Sequence, residues 1–331
     1  MHCGAILATS LLAISLSAQQ RAWVDPSQHK QRLVSVEPAA SIEVLDWGGS
    51  GPTLVLLAQL GQTAHVYDDW AQKLSGAYHV LGITRRGFGE SRATAAAGYS
   101  MERLATDIVA AIDAEKAQAL ILVGNGFAGE EMCWIAAHMP NRVRGLIYLD
   151  AAYDRSHLGA EGTAIARRIP PPPPPQPQDL ESAQSLAKWS SRNIGGSMPE
   201  SEIRQLMQFA QDGRVAGERT PVAVRQQIIA GMVKADYGRI QIPALGIYAK
   251  PTSSDSIPGC RGTNDAAVRQ ACGELLDWTL RHLNDSEALF RSVQSSVQVV
   301  ELPGANSPFV FLTNEREVMR EMGQFISGQI K

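Results

Sequence analysis

Residues 119–129, Ala-Leu-Ile-Leu-Val-Gly-Asn-Gly-Phe-Ala-Gly, constrain this chain more than any other stretch. The apolar run ending at Val123 reads as a short strand covered on both faces. Gly124, Gly126 and Gly129 crowd the turn that follows, and Glu130 to His138 then reads as a helix. A buried strand, a tight turn and a helix are the repeating unit of parallel α/β sheets, where ligand sites gather at the carboxyl ends of strands.

The rest of the chain keeps that alternation. Arg32–Glu37 and Ser41–Asp46 read as an entry hairpin, closed off by the Gly48–Pro52 turn. Thr53–Ala58 is a second apolar strand, Ala64–Leu74 is helical and Tyr78–Thr84 is a strand. Ser100–Glu115 is a strong helix, with Ser100 as its cap and Leu104, Ile108, Ala111 and Ile112 on one face. Val143–Leu149 is a strand ending at Asp150, and Ile240–Ala249 and Val297–Leu302 are later ones; Asn314–Ile330 is a final helix. The expected fold is α/β, a doubly wound, mostly parallel sheet. Residues 153–238 interrupt the pattern with helical stretches (Glu200–Gln211, Pro221–Val233) and a proline run, Pro170–Pro175, then Gln176-Pro177. Such a run fits neither a helix nor a central strand. It reads as an exposed polyproline II spacer of about 3.1 Å per residue.

With 331 residues, 44% hydrophobic and 19% charged, the chain can bury one large domain with an insertion. A formal charge of −3 gives no reason to invoke nucleic acid. Residues 1–18 read as a secretory leader, with an apolar core from Ala5 to Leu16 and small residues up to Ala18. Export to the periplasm or the extracellular space is therefore expected, with no membrane span in the mature protein. Cys3 would leave with the leader. Cys133 reads as a buried core thiol. Cys260 and Cys272 flank a polar stretch; in an exported protein they read as a local disulfide, the other reading being two unrelated thiols.

The strand–turn–helix at 119–138 resembles the nucleophile elbow of the α/β-hydrolase family, whose motif is G-x-S-x-G. The resemblance covers about residues 32–330. It also draws on Arg86-Gly87-Phe88-Gly89-Glu90-Ser91, similar to the family's R-G-x-G-x-S turn, and on the Pro303–Asn306 loop before the last helix. It implies a hydrolase core in two parts, residues 32–152 and 239–331, with a helical cap at 153–238 that covers the site. It also implies two departures. Gly126 stands where the nucleophilic serine belongs, and Ser307 where the catalytic histidine belongs. Glycine has no group to attack a carbonyl, and a hydroxyl does not take up a proton near neutrality as an imidazole does. The third member, a carboxylate, maps to Asp255 or to Asp150. The oxyanion site maps to the backbone of Phe127 and of Leu60, with Gln59 where the family usually has glycine and Asn125 at the variable elbow position.

No catalytic residue is therefore assigned; Gly126, Ser307 and Asp255 or Asp150 read as vestigial positions. His65, at the start of a helix after the Gln59 loop, is the best remaining histidine, and its plainer reading is a capping or helix-face side chain. Glu130 and Glu131 read as acids that stabilise a helix N-terminus. The linear sequence shows no metal-ligand spacing and no phosphate loop, so no cofactor is expected. Three functions fit. The first is a homologue without Ser-His-Asp catalysis that binds a small apolar molecule under its cap. The second is an ester-type hydrolase with a displaced constellation. The third is an interaction protein with a vestigial pocket.

Overall fold

The computed structural model describes residues 23–93, 98–117, 120–153, 155, 160–293 and 296–330. The leader at 1–18 lies outside them. Strand β1 (Lys30–Glu37) pairs antiparallel with β2 (Ala40–Gly48), and β2 pairs antiparallel with β4 (His79–Thr84) and with the short β5 (Arg92–Ala93). From there the sheet is parallel: β3 (Thr53–Leu57), β6 (Leu120–Asn125), β7 (Val143–Leu149), β10 (Ala244–Lys250) and β11 (Val297–Pro303). Its order, β1-β2-β4-β3-β6-β7-β10-β11, makes a doubly wound sheet of mixed but mostly parallel type.

That order fixes where a site can form. The chain leaves β3 for β4 on one side and crosses back to β6 on the other. The loops after β3 and β6 thus sit side by side at the point where the winding reverses, with Leu57 paired to Gly124 across the two strands. Strands β3, β6 and β7 are almost entirely buried because helices cover both faces. On one face pack α1 (Asp68–Leu74) and, after the short α9 (Val310–Thr313), α10 (Glu315–Gln329). On the other pack α2 (Met101–Ala114), α3 (Ala128–His138) and α8 (Ala266–Ser292). Helix α2 begins where Ser100 accepts from the Arg103 N–H, and its buried residues Met101, Leu104, Ala105, Ile108, Ala111 and Ile112 recur at helical spacing.

Residues 153–238 carry α4 (Ala160–Ala166), α5 (Ala183–Ile194), α6 (Glu200–Leu206), a hairpin of β8 (Met207–Phe209) and β9 (Val215–Glu218), and α7 (Val222–Ala230). The sequence extends the 200–211 helix too far. Helix α6 stops at Leu206 because Met207–Phe209 pairs with Val215–Glu218 across a turn in which Gly213 has φ +86°; the Asp212-Gly213 pair was the signal for it. The strand expected from Ile240 begins only at Ala244, after Pro243, which has no N–H for a ladder. Pro170–Pro174 lie exposed without helix or strand. The 27-residue helix α8, capped by Asp265 on the Ala267 and Val268 N–H groups, is an element the sequence pattern does not predict. Cys272 lies in its second turn and forms a disulfide with Cys260, with Cα atoms 5.9 Å apart. Cys133 is a buried free thiol. Among the described residues no helix is long and apolar enough to cross a membrane.

Candidate functional site

The turn between β6 and α3 holds Gly126 at φ +54°, a left-handed conformation that L-residues adopt with strain. Its tightness has a visible cause. A Cβ on Gly129 would lie 2.2 Å from the Ala151 carbonyl oxygen, so the first turn of α3 can approach the end of β7 only with glycine there. At Gly126 the obstacle is a side chain. A Cβ would meet Gln59 Oε1 at 2.5 Å and Gln59 Cβ at 2.9 Å. Gln59, from the loop after β3, therefore fills the space into which a residue-126 side chain would project.

Asn125 ties this arrangement together. It is fully buried, and its Oδ1 accepts from the Gln59 N–H at 3.0 Å and from the Tyr67 hydroxyl at 2.7 Å, while its Nδ2 donates to the Pro308 carbonyl at 3.5 Å. The loops after β3, β6 and β11 thus share one side-chain amide. Asn125 holds the site together rather than presenting a donor to a ligand, and the Gln59 N–H is likewise committed. Burial holds the Tyr67 phenol well above its ordinary pKa, so it stays a donor.

Of the two candidate acids, the one that meets Ser307 is Asp150. Ser307 Oγ donates to Asp150 Oδ2, whose carboxylate also accepts from Tyr153 Oη at 2.6 Å and from the Ala249 N–H at 2.9 Å. Asp150 sits at φ +51° at the end of β7, almost fully buried. Burial raises its pKa, against the opposing pull of the bonds from Ser307, Tyr153 and Ala249. Asp255 lies exposed in a short turn after β10. The geometry thus leaves an acid oriented on a hydroxyl where an acid oriented on an imidazole would serve a nucleophile.

Phe127, buried, starts α3 and carries the Arg85 guanidinium over its ring at 5.1 Å. Arg85 grips Glu131 with Nε at 2.6 Å and Nη2 at 2.7 Å, and donates to the Ala58 and Gln59 carbonyls at 2.9 and 3.3 Å. Glu131, expected only as a helix-terminus acid, is thereby a buried two-pronged partner. Half-buried Leu60, Val224 of α7 and Met232 pack against one apolar cluster that contains Phe127 and Ile228 of α7.

His65 does not reach this turn. Its Nδ1 lies 3.1 Å from Asp68 Oδ2 and its Nε2 3.4 Å from Glu43 Oε1, so both ring nitrogens face carboxylates. Burial alone would lower its pKa, but the bonds to Asp68 and Glu43 outweigh that and hold it at about 10. Asp68 lies on the same turn as His65, but Glu43 reaches it from β2, 22 residues earlier, and local pattern does not predict that meeting. Nearby, Glu202 of α6 accepts from the Thr63 N–H at 3.0 Å and from the Thr63 hydroxyl, and burial pushes its pKa to about 7.

A chain with this winding, an elbow at the switch point and an acid after β7 facing the loop after β11 has the α/β-hydrolase plan. A family model described as the alpha/beta hydrolase fold matches residues 52–206. The crystal structure of E-2-(acetamidomethylene)succinate hydrolase superimposes with a TM-score of 0.63 over 91% of this chain and all of that one, at 18% identity. An α/β hydrolase from Novosphingobium aromaticivorans DSM 12444 gives 0.59 over 91% and 99%, at 17% identity. The chain has the α/β-hydrolase fold. In sequence it is similar to a carbendazim hydrolyzing esterase from Nocardioides sp. (strain SG-4G), 29% identical over 111 residues, which are 33% of this chain. The curated relatives it matches are covered over 46% and 61% of their own length.

Proposed function

We propose that this chain is an α/β-hydrolase homologue that does not carry out Ser-His-Asp catalysis and instead holds a small, mainly apolar molecule at the former active site. One observation carries the reading. Gly126 occupies the nucleophile position, and Gln59 fills the volume a nucleophilic side chain would need. All the atoms that a Cβ on Gly126 would meet most closely belong to the Gln59 side chain. The Ser307–Asp150 bond supports the same conclusion from the opposite wall, since neither group is a base suited to activating a nucleophile near neutrality. The apolar side chains beside the elbow, buried Phe127 with Leu60, Val224 and Met232 in one cluster, support a ligand of low polarity.

The test has two arms. Purified protein is treated with a fluorophosphonate probe and assayed with p-nitrophenyl acetate and butyrate. No stoichiometric adduct and no turnover above solvent background are expected, and a labelled serine mapped by mass spectrometry overturns the loss of catalysis. In the second arm, 1-anilinonaphthalene-8-sulfonate binding is followed by fluorescence in wild type and in Leu60→Asp. Weaker binding by the variant is expected; equal binding refutes the ligand site and favours an interaction protein.

We also place the chain in an oxidising compartment, periplasmic or extracellular. The Cys260–Cys272 disulfide supports this. N-terminal sequencing of the protein from fractionated native cells tests it, and an uncleaved cytosolic product refutes it.

A further inference from the structure

We propose that Asp25, His29, His65 and Asp68 form a structural site for a transition-metal dication of the zinc class. One ligand atom from each of the four lies within 4.8 Å of all the others. His29 Nδ1 is 2.9 Å from Asp68 Oδ1, His65 Nδ1 is 3.1 Å from Asp68 Oδ2 and 3.7 Å from Asp25 Oδ2, and His29 Nε2 is 4.0 Å from Asp25 Oδ2. Tetrahedral coordination at about 2.0–2.2 Å places ligand atoms roughly 3.4 Å apart; with one nitrogen from each imidazole and one oxygen from each carboxylate the four atoms lie within 4.8 Å of one another, so the set closes on an ion by drawing inward.

The chemistry of the donors narrows the ion. Two imidazoles and two carboxylates suit zinc, whereas magnesium and calcium favour all-oxygen sets. Asp25 and Asp68 balance the charge of a dication bound by neutral imidazoles. The surroundings resemble those of built metal sites. With Nδ1 of His65 facing the cluster, its Nε2 faces the buried Glu43 carboxylate, the carboxylate–histidine pairing that orients a metal-bound imidazole. Ser201 Oγ donates to Asp68 Oδ2 at 2.5 Å, fixing a second donor. Asp68 and His65 are almost fully buried, while the Asp25 side chain is 26% exposed and leaves a path for entry.

The position gives the ion a task. Asp25 and His29 lie in the segment before β1, where Trp23 stacks on Arg204 of α6 at 4.5 Å. His65 lies in the turn between the Gln59 loop and α1, and Asp68 is the first residue of α1. A bound cation would clasp the segment before β1 to the turn that carries Tyr67, which in turn bonds Asn125 at the elbow. This inference stands apart from the loss of catalysis, because none of its four ligands belongs to the candidate site.

The experiment is a ZnCl2 titration of the full chain after chelator treatment and dialysis, read by calorimetry, by metal analysis and by the melting temperature. One zinc per chain and a raised melting temperature are expected, with MgCl2 producing neither. Asp25→Asn changes a partly exposed side chain and keeps its shape; with His29→Gln it should weaken zinc binding about tenfold or more. Cobalt absorption of the wild type, with the visible bands of a tetrahedral site, gives a readout independent of variant folding. Absence of saturable zinc uptake overturns the proposal and leaves the cluster a proton-linked network. Stoichiometric uptake untouched by both substitutions, or a cobalt spectrum of octahedral type, overturns it as well.

Discussion

Gln59 Oε1 stands 2.5 Å from the point where a Cβ on Gly126 would be. The consequence is that placing a nucleophile at residue 126 means making space for it. Gly126→Ser with Ser307→His supplies a hydroxyl and an imidazole, and Asp150 already faces residue 307. The double variant nevertheless drives the new side chain into Gln59 at a backbone φ of +54°, a conformation that costs a non-glycine residue about 1–3 kcal/mol. Adding Gln59→Gly should raise p-nitrophenyl ester turnover at least about tenfold over the double, since it frees the space the serine needs and a misplaced nucleophile loses rate steeply. Equal activity in the double and triple variants would show that Gln59 moves aside freely.

The Arg85–Glu131 pair braces the same turn from beneath. Both side chains are almost fully buried, and Arg85 also holds the Ala58 and Gln59 carbonyls. Glu131→Ala strands a buried guanidinium, which typically costs about 3–5 kcal/mol. Denaturant unfolding should register a loss of that order. A loss below about 1 kcal/mol would mean that water or another acid takes over the pairing.

The sheet was legible because its strands are buried on both faces and so appear as unbroken apolar runs: Thr-Leu-Val-Leu-Leu at 53–57 and Leu-Ile-Leu-Val at 120–123. Gly126 was legible because it follows such a run, whereas Ser307 follows Val297–Pro303, a partly buried strand in which polar and apolar residues are mixed. Local pattern cannot carry what depends on distant partners. Asp150 and Asp255 were equal candidates in the sequence; only the pairing of β7 with β10, which brings the Ala249 N–H to Asp150, separates them. The grouping of Asp25 and His29 with His65 and Asp68 needs the segment before β1 folded against α1. Helix α8 escaped because its exposed face carries many polar and charged side chains.

The disulfide yields a separate prediction. It closes a short loop, with a sequence separation of 12, between an irregular segment and α8. A closure of this size stabilises by about 3 kcal/mol in the chain-entropy account. Cys260→Ser with Cys272→Ser should lower unfolding free energy by up to that amount, measured by denaturant titration, and leave the far-ultraviolet circular dichroism unchanged. A variant as stable as wild type would show that the reduced loop retains its structure when unfolded.

Glu202 makes stability depend on pH in a stated direction. It is fully buried, and burial raises its folded pKa from 4.5 to about 7, opposed by its two bonds from Thr63. The folded state therefore keeps a proton that the unfolded chain releases above about 4.5. This contribution is fully present below pH 4.5 and is lost as the pH rises through 7. Glu202→Gln keeps an acceptor for the Thr63 N–H and turns the partner of its hydroxyl into a donor, without an ionisable group. Melting temperatures of wild type and variant, taken from pH 5 to pH 8 with metal content held constant, should diverge, the variant gaining on wild type as the pH rises. Parallel curves across that range would mean that Glu202 titrates at its ordinary value and that water reaches the junction between α6 and the Gln59 loop.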